Sequence, residues 1–168
     1  VIIQGCPDMS DLPTHPIRFA DLPNRTRTHF TIEPDADTRR VLADALDILA
    51  LKKLRFDGAL IPMRKRDWRI EAQLGASAQQ ACVVTLDPVT TRIDEPVERT
   101  YTAQYEFPDE SEVEVPEDDT ADPLPDTLDL IDVLLEALAL ALPPYPRKPG
   151  VASDVIAVTE PGKAAMTD

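Results

Sequence analysis

The sequence predicts one α+β domain, a mostly antiparallel β-sheet of about four to six strands packed against a Leu-rich C-terminal helix and a second helix. Three observations carry this. The run from Asp126 to Leu142 sets Leu130, Ile131, Leu134, Leu135, Leu138 and Leu142 at three-to-four spacing, holds no Gly or Pro, and stops at Pro143-Pro144. Several segments between Arg27 and Phe107 alternate apolar and polar residues with the period of two of a half-buried strand. Seventeen prolines against five glycines point to extended segments and stiff turns. With 168 residues, 43% of them hydrophobic, the chain is long enough for one real core.

Taken in order, residues 1–15 read as a weakly ordered arm and 16–150 as the single α+β domain. Ile17–Leu22 is an edge strand or extended lead-in. Arg27–Glu33 is a strand, with Thr28, Phe30 and Ile32 on one face. A helix follows from Pro34, capped by Asp35 or Asp37, with Val41, Leu42, Ala45, Leu46 and Leu49 as its apolar stripe; it is expected to end near Ala50 or Leu51. Leu54, Phe56, Gly58 and Leu60, then Trp68, Ile70, Ala72 and Leu74, form the inward faces of a hairpin whose tip is Pro62–Asp67. Gln79–Leu86 is predicted as a central strand because Cys82-Val83-Val84 is apolar throughout, closed by a turn at Asp87-Pro88-Val89. Val97–Phe107 alternates most cleanly. Arg99 interrupts its apolar face and marks an interface or edge position. Residues 108–126 are acidic and Pro-rich, and most of the segment cannot bury enough to order itself, with room for a brief strand over Glu112–Val115. Asp126, Asp129 and Asp132 suit the positive end of the Leu-rich helix, which Thr127 or Asp129 caps. So little of that helix is polar that other elements must cover it on more than one side. Residues 151–168 read as a flexible tail.

Charge narrows the function classes. The formal net charge is −14, which disfavours generic binding of duplex DNA by the whole surface. It is unevenly spread: seven bases and two acids lie between Lys52 and Arg69, and seventeen acids and two bases between Asp87 and Glu136. No apolar run reaches the roughly 20 residues of a membrane span. The amino end lacks the basic start of a secretory signal, and it also lacks an initiator Met, so upstream residues are left open. A cytoplasmic protein without membrane contact is the expectation. Cys6 and Cys82 make no disulfide framework and read as independent thiols.

No catalytic constellation is evident. His15 lies in the arm and His29 stands alone on its strand; no Ser sits in a nucleophile elbow, and no glycines cluster to cradle phosphate. The acidic segment reads as solvated rather than as a metal site, and neither metal nor cofactor is expected. Two surfaces remain. Arg64, Lys65, Arg66, Trp68 and Arg69, with Lys52 and Lys53 nearby in sequence, are candidate RNA-binding residues, cations beside an aromatic ring that either stacks on a base or faces the core. Asp109, Glu110, Glu112, Glu114, Glu117, Asp118 and Asp119 are candidate protein-binding residues, able to occupy a basic surface.

Two passages resemble a known family. Ala81-Cys82-Val83-Val84-Thr85-Leu86-Asp87-Pro88-Val89 with Ile93-Asp94-Glu95-Pro96-Val97, and the helix from Asp129 through Leu142 to Pro143-Pro144-Tyr145-Pro146-Arg147, are similar to the YceD family, in a form like that of alphaproteobacteria. Arg18–Pro23 and Leu46–Leu51 also sit where that family has them, so the likeness covers roughly residues 15–150. The resemblance implies a non-enzymatic ribosome biogenesis factor that supports 23S rRNA processing or accumulation, with a large-subunit precursor, 23S rRNA or ribosomal proteins as partners. The alternative is an acidic protein-binding adaptor without nucleic-acid contact, working through residues 109–122 or an exposed strand edge. Many members of the family carry Cys-x-x-Cys at Cys82 and further cysteines later, which implies zinc in those branches. Here the second position is Thr85 and no Cys follows Cys82, so zinc is not expected and Cys82 reads as a small buried hydrophobe. The segment 158–168 is unlike the family's usual end.

Overall fold

The computed structural model describes residues 12–104 and 121–150. Strands β1 (Pro16–Arg18), β2 (Thr28–Ile32), β3 (Ala50–Pro62), β4 (Trp68–Ala81), β5 (Pro88–Thr102), β6 (Ala121–Pro123) and β7 (Thr127–Asp129) are joined by helices α1 (Ala36–Ala45), between β2 and β3, and α2 (Leu130–Ala141), after β7. The main sheet runs β2-β3-β4-β5-β6; its first four strands are antiparallel, and β6 lies parallel to the end of β5. β1 and β7 form a separate antiparallel pair. This is the α+β architecture the pattern predicts.

The alternation of apolar residues decides which face is which. Leu54, Phe56 and Leu60 of β3, Trp68, Ile70 and Leu74 of β4, and Ile93, Val97 and Tyr101 of β5 point to one face and are buried. Arg55, Arg69, Glu71, Arg92, Asp94 and Glu98 point to the other, which is solvated, as one-sided antiparallel sheets allow. Helix α2 covers the apolar face with Leu130, Ile131, Val133, Leu134 and Leu138. The Asp129 carboxylate accepts from Ile131 N–H at 2.9 Å and so caps the helix, as expected. Arg99 sits where β5 meets α2 and pairs with Glu136 of the helix and, at 3.5 Å, with Asp122 of β6. Gly58 is required where β3 and β4 approach closely, because a Cβ there would run into the backbone of Glu71 and Ala72.

Two expectations are corrected. Helix α1 ends at Ala45 rather than near Ala50. Ile48 N–H donates to Ala43 C=O and Asp47 N–H to Asp44 C=O, with Asp47 left-handed at φ 52°, so a Schellman cap is made without Gly. Leu49, placed on the helix stripe, is consequently exposed, and β3 begins at once. The stretch Gln79–Leu86 is not a central strand: β4 runs unbroken to Ala81, Cys82–Asp87 is the turn, and β5 starts at Pro88. Val83 and Val84, read as core, are 47% and 52% exposed. Helix α2 buries Leu130, Ile131, Val133, Leu134 and Leu138 but leaves Leu140 77% exposed. The strand considered over Glu112–Val115 lies outside the described residues.

Candidate functional site

The β3–β4 turn is a three-residue loop, Arg64-Lys65-Arg66, closed by Met63 N–H to Asp67 C=O at 2.7 Å. Lys65 and Arg66 both take left-handed backbone, φ 62° and 67°, a conformation that turn sequences usually give to Gly or Asn. Each costs roughly 1–2 kcal/mol relative to an ordinary conformation. All three side chains are exposed. The neighbouring carboxylate does not neutralise them: Asp67 Oδ1 accepts from Thr102 Oγ1 and Ala103 N–H, both at 3.0 Å, and fastens the end of β5 instead.

Sheet register adds two further cations. Thr28 pairs with Leu60, so the residues before β2 lie alongside the end of β3 and its turn. Asn24 accordingly lines an open cleft of about 400 Å³ with Phe19, Leu22, Met63, Arg66 and Trp68. Arg25 and Arg27 are exposed at this same end. Among the described residues none of Arg25, Arg27, Arg64, Lys65 and Arg66 forms a salt bridge, whereas Arg40, Arg55, Arg69, Arg92, Arg99 and Lys148 all do. Five cations without a salt-bridge partner among the described residues therefore gather at one end of a chain with a large negative net charge.

The other candidates lie elsewhere. Trp68 is 5% exposed and packs on Phe19 with ring centroids 5.4 Å apart, so of its two readings the structure takes the core. Arg69 is on the solvated face between Glu71 (3.8 Å) and Glu98 (3.5 Å). Lys52 and Lys53 stand at a register shift near the start of β3, twelve and eleven residues from Arg64, or about 35–40 Å at the rise of a strand. They line a second open cleft of about 610 Å³ with Glu33, Arg55, Arg92 and Asp94. Asp109, Glu110, Glu112, Glu114, Glu117, Asp118 and Asp119 lie outside the described residues. The sequence gives Arg25 and Arg27 no local signal; only the pairing of β2 with β3 places them.

The polar groups of the 610 Å³ cleft are tied to one another. Arg55 bonds Asp57 (2.7 Å) and Glu33 (2.8 Å), and Arg92 bonds Asp94 (2.8 Å). The Arg92 bond holds the Asp94 carboxyl below its usual range, and the bond to Asp57, then the charges of Asp57 and Glu33, hold the Arg55 guanidinium more firmly protonated. Such shifts move groups away from neutrality and leave no acid or base poised there.

Cys82 is the exception, its thiol lowered to about 6 by the Thr85 hydroxyl foremost, then by the backbone N–H groups of Thr85, Lys148 and Val84, against burial. It is fully buried. Lys148 N–H donates to Sγ at 3.5 Å, Val83 N–H to Pro146 C=O at 3.0 Å, and Lys148 Nζ to Asp87 at 3.0 Å. Cys82 is thus more than the small hydrophobe expected: its sulfur accepts a hydrogen bond from Lys148, which with the Val83–Pro146 and Lys148–Asp87 bonds fastens residues 146–148 to the β4–β5 turn. The donors do not fit zinc. Thr85 stands where a second thiolate would be, N–H groups occupy the sulfur, and no group of three or more His, Cys, Asp or Glu among the described residues could hold a metal. No helix among them is long and apolar enough to cross a membrane.

The family model described as "Large ribosomal RNA subunit accumulation protein YceD" matches residues 70–165, more than half of the chain. The chain belongs to the YceD family. The match takes in β4 from Ile70, the Cys82 turn, β5 and α2, and leaves out β1, β2, α1 and all of β3. It also runs on to residue 165, so most of the end expected to depart from the family lies within the match. Among curated proteins and solved structures, none matches this YceD-family protein.

Proposed function

We propose that this protein is a non-enzymatic ribosome biogenesis factor that supports accumulation or processing of 23S rRNA by touching rRNA of a large-subunit precursor with its basic end. The observation that carries the reading is the gathering of Arg25, Arg27, Arg64, Lys65 and Arg66 at one end of the sheet, without carboxylate partners among the described residues. The family's description supplies the kind of RNA. Loop cations that reach phosphates position an RNA backbone without reading its sequence, which suits a factor for structured rRNA. The core placement of Trp68 removes base stacking by that ring from the mechanism. The resemblance of the Cys82 and α2 passages to alphaproteobacterial forms supports reading the protein as a member of that kind, with residues 16–150 as its domain.

The test is ultraviolet crosslinking in cells followed by identification of the bound RNA, with sedimentation of large-subunit precursors. Arg64→Glu/Lys65→Glu/Arg66→Glu should lower recovery of 23S rRNA at least tenfold while leaving the melting temperature in place, since all three side chains are exposed. Weaker binding should come with a shallower salt dependence, the log–log slope falling by about one for each phosphate no longer touched. Unchanged RNA recovery in this variant would remove the basic end from the mechanism.

A further inference from the structure

The outer edge of β5 is unoccupied over most of its length among the described residues. β6 pairs only with Thr100–Thr102, whereas β5 begins at Pro88. The direction of its main chain follows from one hydrogen bond: Thr102 C=O accepts from Leu124 N–H, so Thr102 faces away from β4. The β4–β5 register is unbroken from Trp68↔Tyr101 to Ala81↔Pro88. With a period of two, Thr90, Arg92, Asp94, Pro96 and Glu98 therefore also present their main chain outward. Pro88 and Pro96 fall in this outward set, where a missing N–H costs no ladder bond. Thr90, Arg92, Asp94 and Glu98 keep both donor and acceptor facing out.

Beside this edge runs an open groove of about 720 Å³ between β5 and α2. Its apolar floor is Val97, Ala137, Leu140 and Ala141; Glu95, Glu98, Arg99 and Glu136 stand along it, Glu136 paired with Arg99 and Glu98, at 3.5 Å, with Arg69. Leu140 is the most exposed large apolar side chain among the described residues. A leucine left uncovered on a helix whose other leucines are buried or partly buried, next to unused strand edge, is what an interaction surface looks like.

We propose that this edge and groove take up an extended segment of another protein as an added strand, one whose side chains alternate apolar and basic. Main-chain bonds to Thr90, Arg92, Asp94 and Glu98 would supply affinity, and the period of two would supply selectivity. One set of side chains falls on Leu140, Ala137 and Val97. The other falls on the solvated face beside Glu98. Three glutamates against Arg99 leave the groove lining net negative, which disfavours an acidic strand. This surface is independent of the basic end and of the rRNA reading.

The experiment titrates the full chain with a ten-residue peptide of alternating valine and lysine and follows backbone amides by NMR. Amide shifts and slowed exchange are expected at Thr90, Arg92, Asp94 and Glu98. Leu140→Asp, on the apolar set's side, and Glu98→Lys, on the basic set's side, both at exposed positions, should each weaken binding at least fivefold without lowering the melting temperature. Shifts confined to other residues, or unchanged affinity in both variants, would overturn the proposal, and a peptide captured only by residues 105–120 would give that result. Self-association of the free chain that Leu140→Asp abolishes would replace the partner by a second copy and equally overturn it.

Discussion

The β3–β4 turn and the β4–β5 turn stand at opposite ends of the same strand, β4, and are held in different ways. At the first, Arg64, Lys65 and Arg66 are exposed, carry no carboxylate partner among the described residues and sit on left-handed backbone at Lys65 and Arg66. At the second, Cys82 is buried, its sulfur accepts a hydrogen bond from Lys148, and Pro146 and Lys148 are fastened across the turn. The family match begins at Ile70 and so includes the second turn but not the first. The difference teaches that the two ends have separate tasks: one is organised to stay together, the other to present charge. Net charge hides this, because −14 describes the chain and not its basic end.

The comparison breaks most completely if both ends fail together. Leu134 and Leu138 of α2 are fully buried over the sheet that connects the two turns. Replacing either by Ala should cost about 2–5 kcal/mol, the range for a large buried side chain cut back to a methyl group. Urea unfolding followed by circular dichroism would show a lower midpoint with an unchanged slope. A variant as stable as the parent would mean that α2 does not hold the core.

An effect confined to the second turn separates the ends. The Cys82 thiol, lowered to about 6 by Thr85 and the surrounding N–H groups, lies below the ordinary thiol value of roughly 8.5. The folded state therefore favours the thiolate. Its contribution is complete above the ordinary value, declines as the pH falls, and is lost as the pH falls through about 6. Cys82→Ser, whose hydroxyl stays neutral, should lower the melting temperature at pH 8.5 and differ little from the parent at pH 5.5. Thermal melts across that range check it, and a constant difference between the two proteins would mean that the sulfur acts by packing alone. RNA recovery through the basic end should not change.

How much of this was legible in the sequence follows the same division. The inward faces of β2, β3 and β4 and the stripe of α2 were readable because burial imposes a period on each. The Cys82 turn was not, because an apolar triplet reads as a central strand unless it is known that residues 146–148 return to cover it. The end of α1 was missed because Asp47, not Gly, takes the left-handed position. Arg64, Lys65 and Arg66 were readable as a run. Arg25 and Arg27 join them only through strand pairing, and Lys52 and Lys53, close in sequence, are carried off by the length of β3.

The smallest expected effect is the sharpest test of what the first turn is for. Lys65 and Leu86 both hold positive φ, 62° and 61°, one in each turn of β4. Glycine adopts this backbone without the clash of a Cβ, although it gives up more freedom on folding. The two terms oppose, and a net gain of about 0.5–1 kcal/mol is expected for Lys65→Gly and for Leu86→Gly. If the strain at Lys65 is kept because a cation is needed there, Lys65→Gly should be more stable yet recover less 23S rRNA, whereas Leu86→Gly should gain stability with RNA recovery intact. Chemical denaturation and crosslinking on the same two variants decide the matter. Equal RNA recovery in both would leave the left-handed lysine an accident of the turn, and the case for the basic end would then rest on Arg25, Arg27, Arg64 and Arg66.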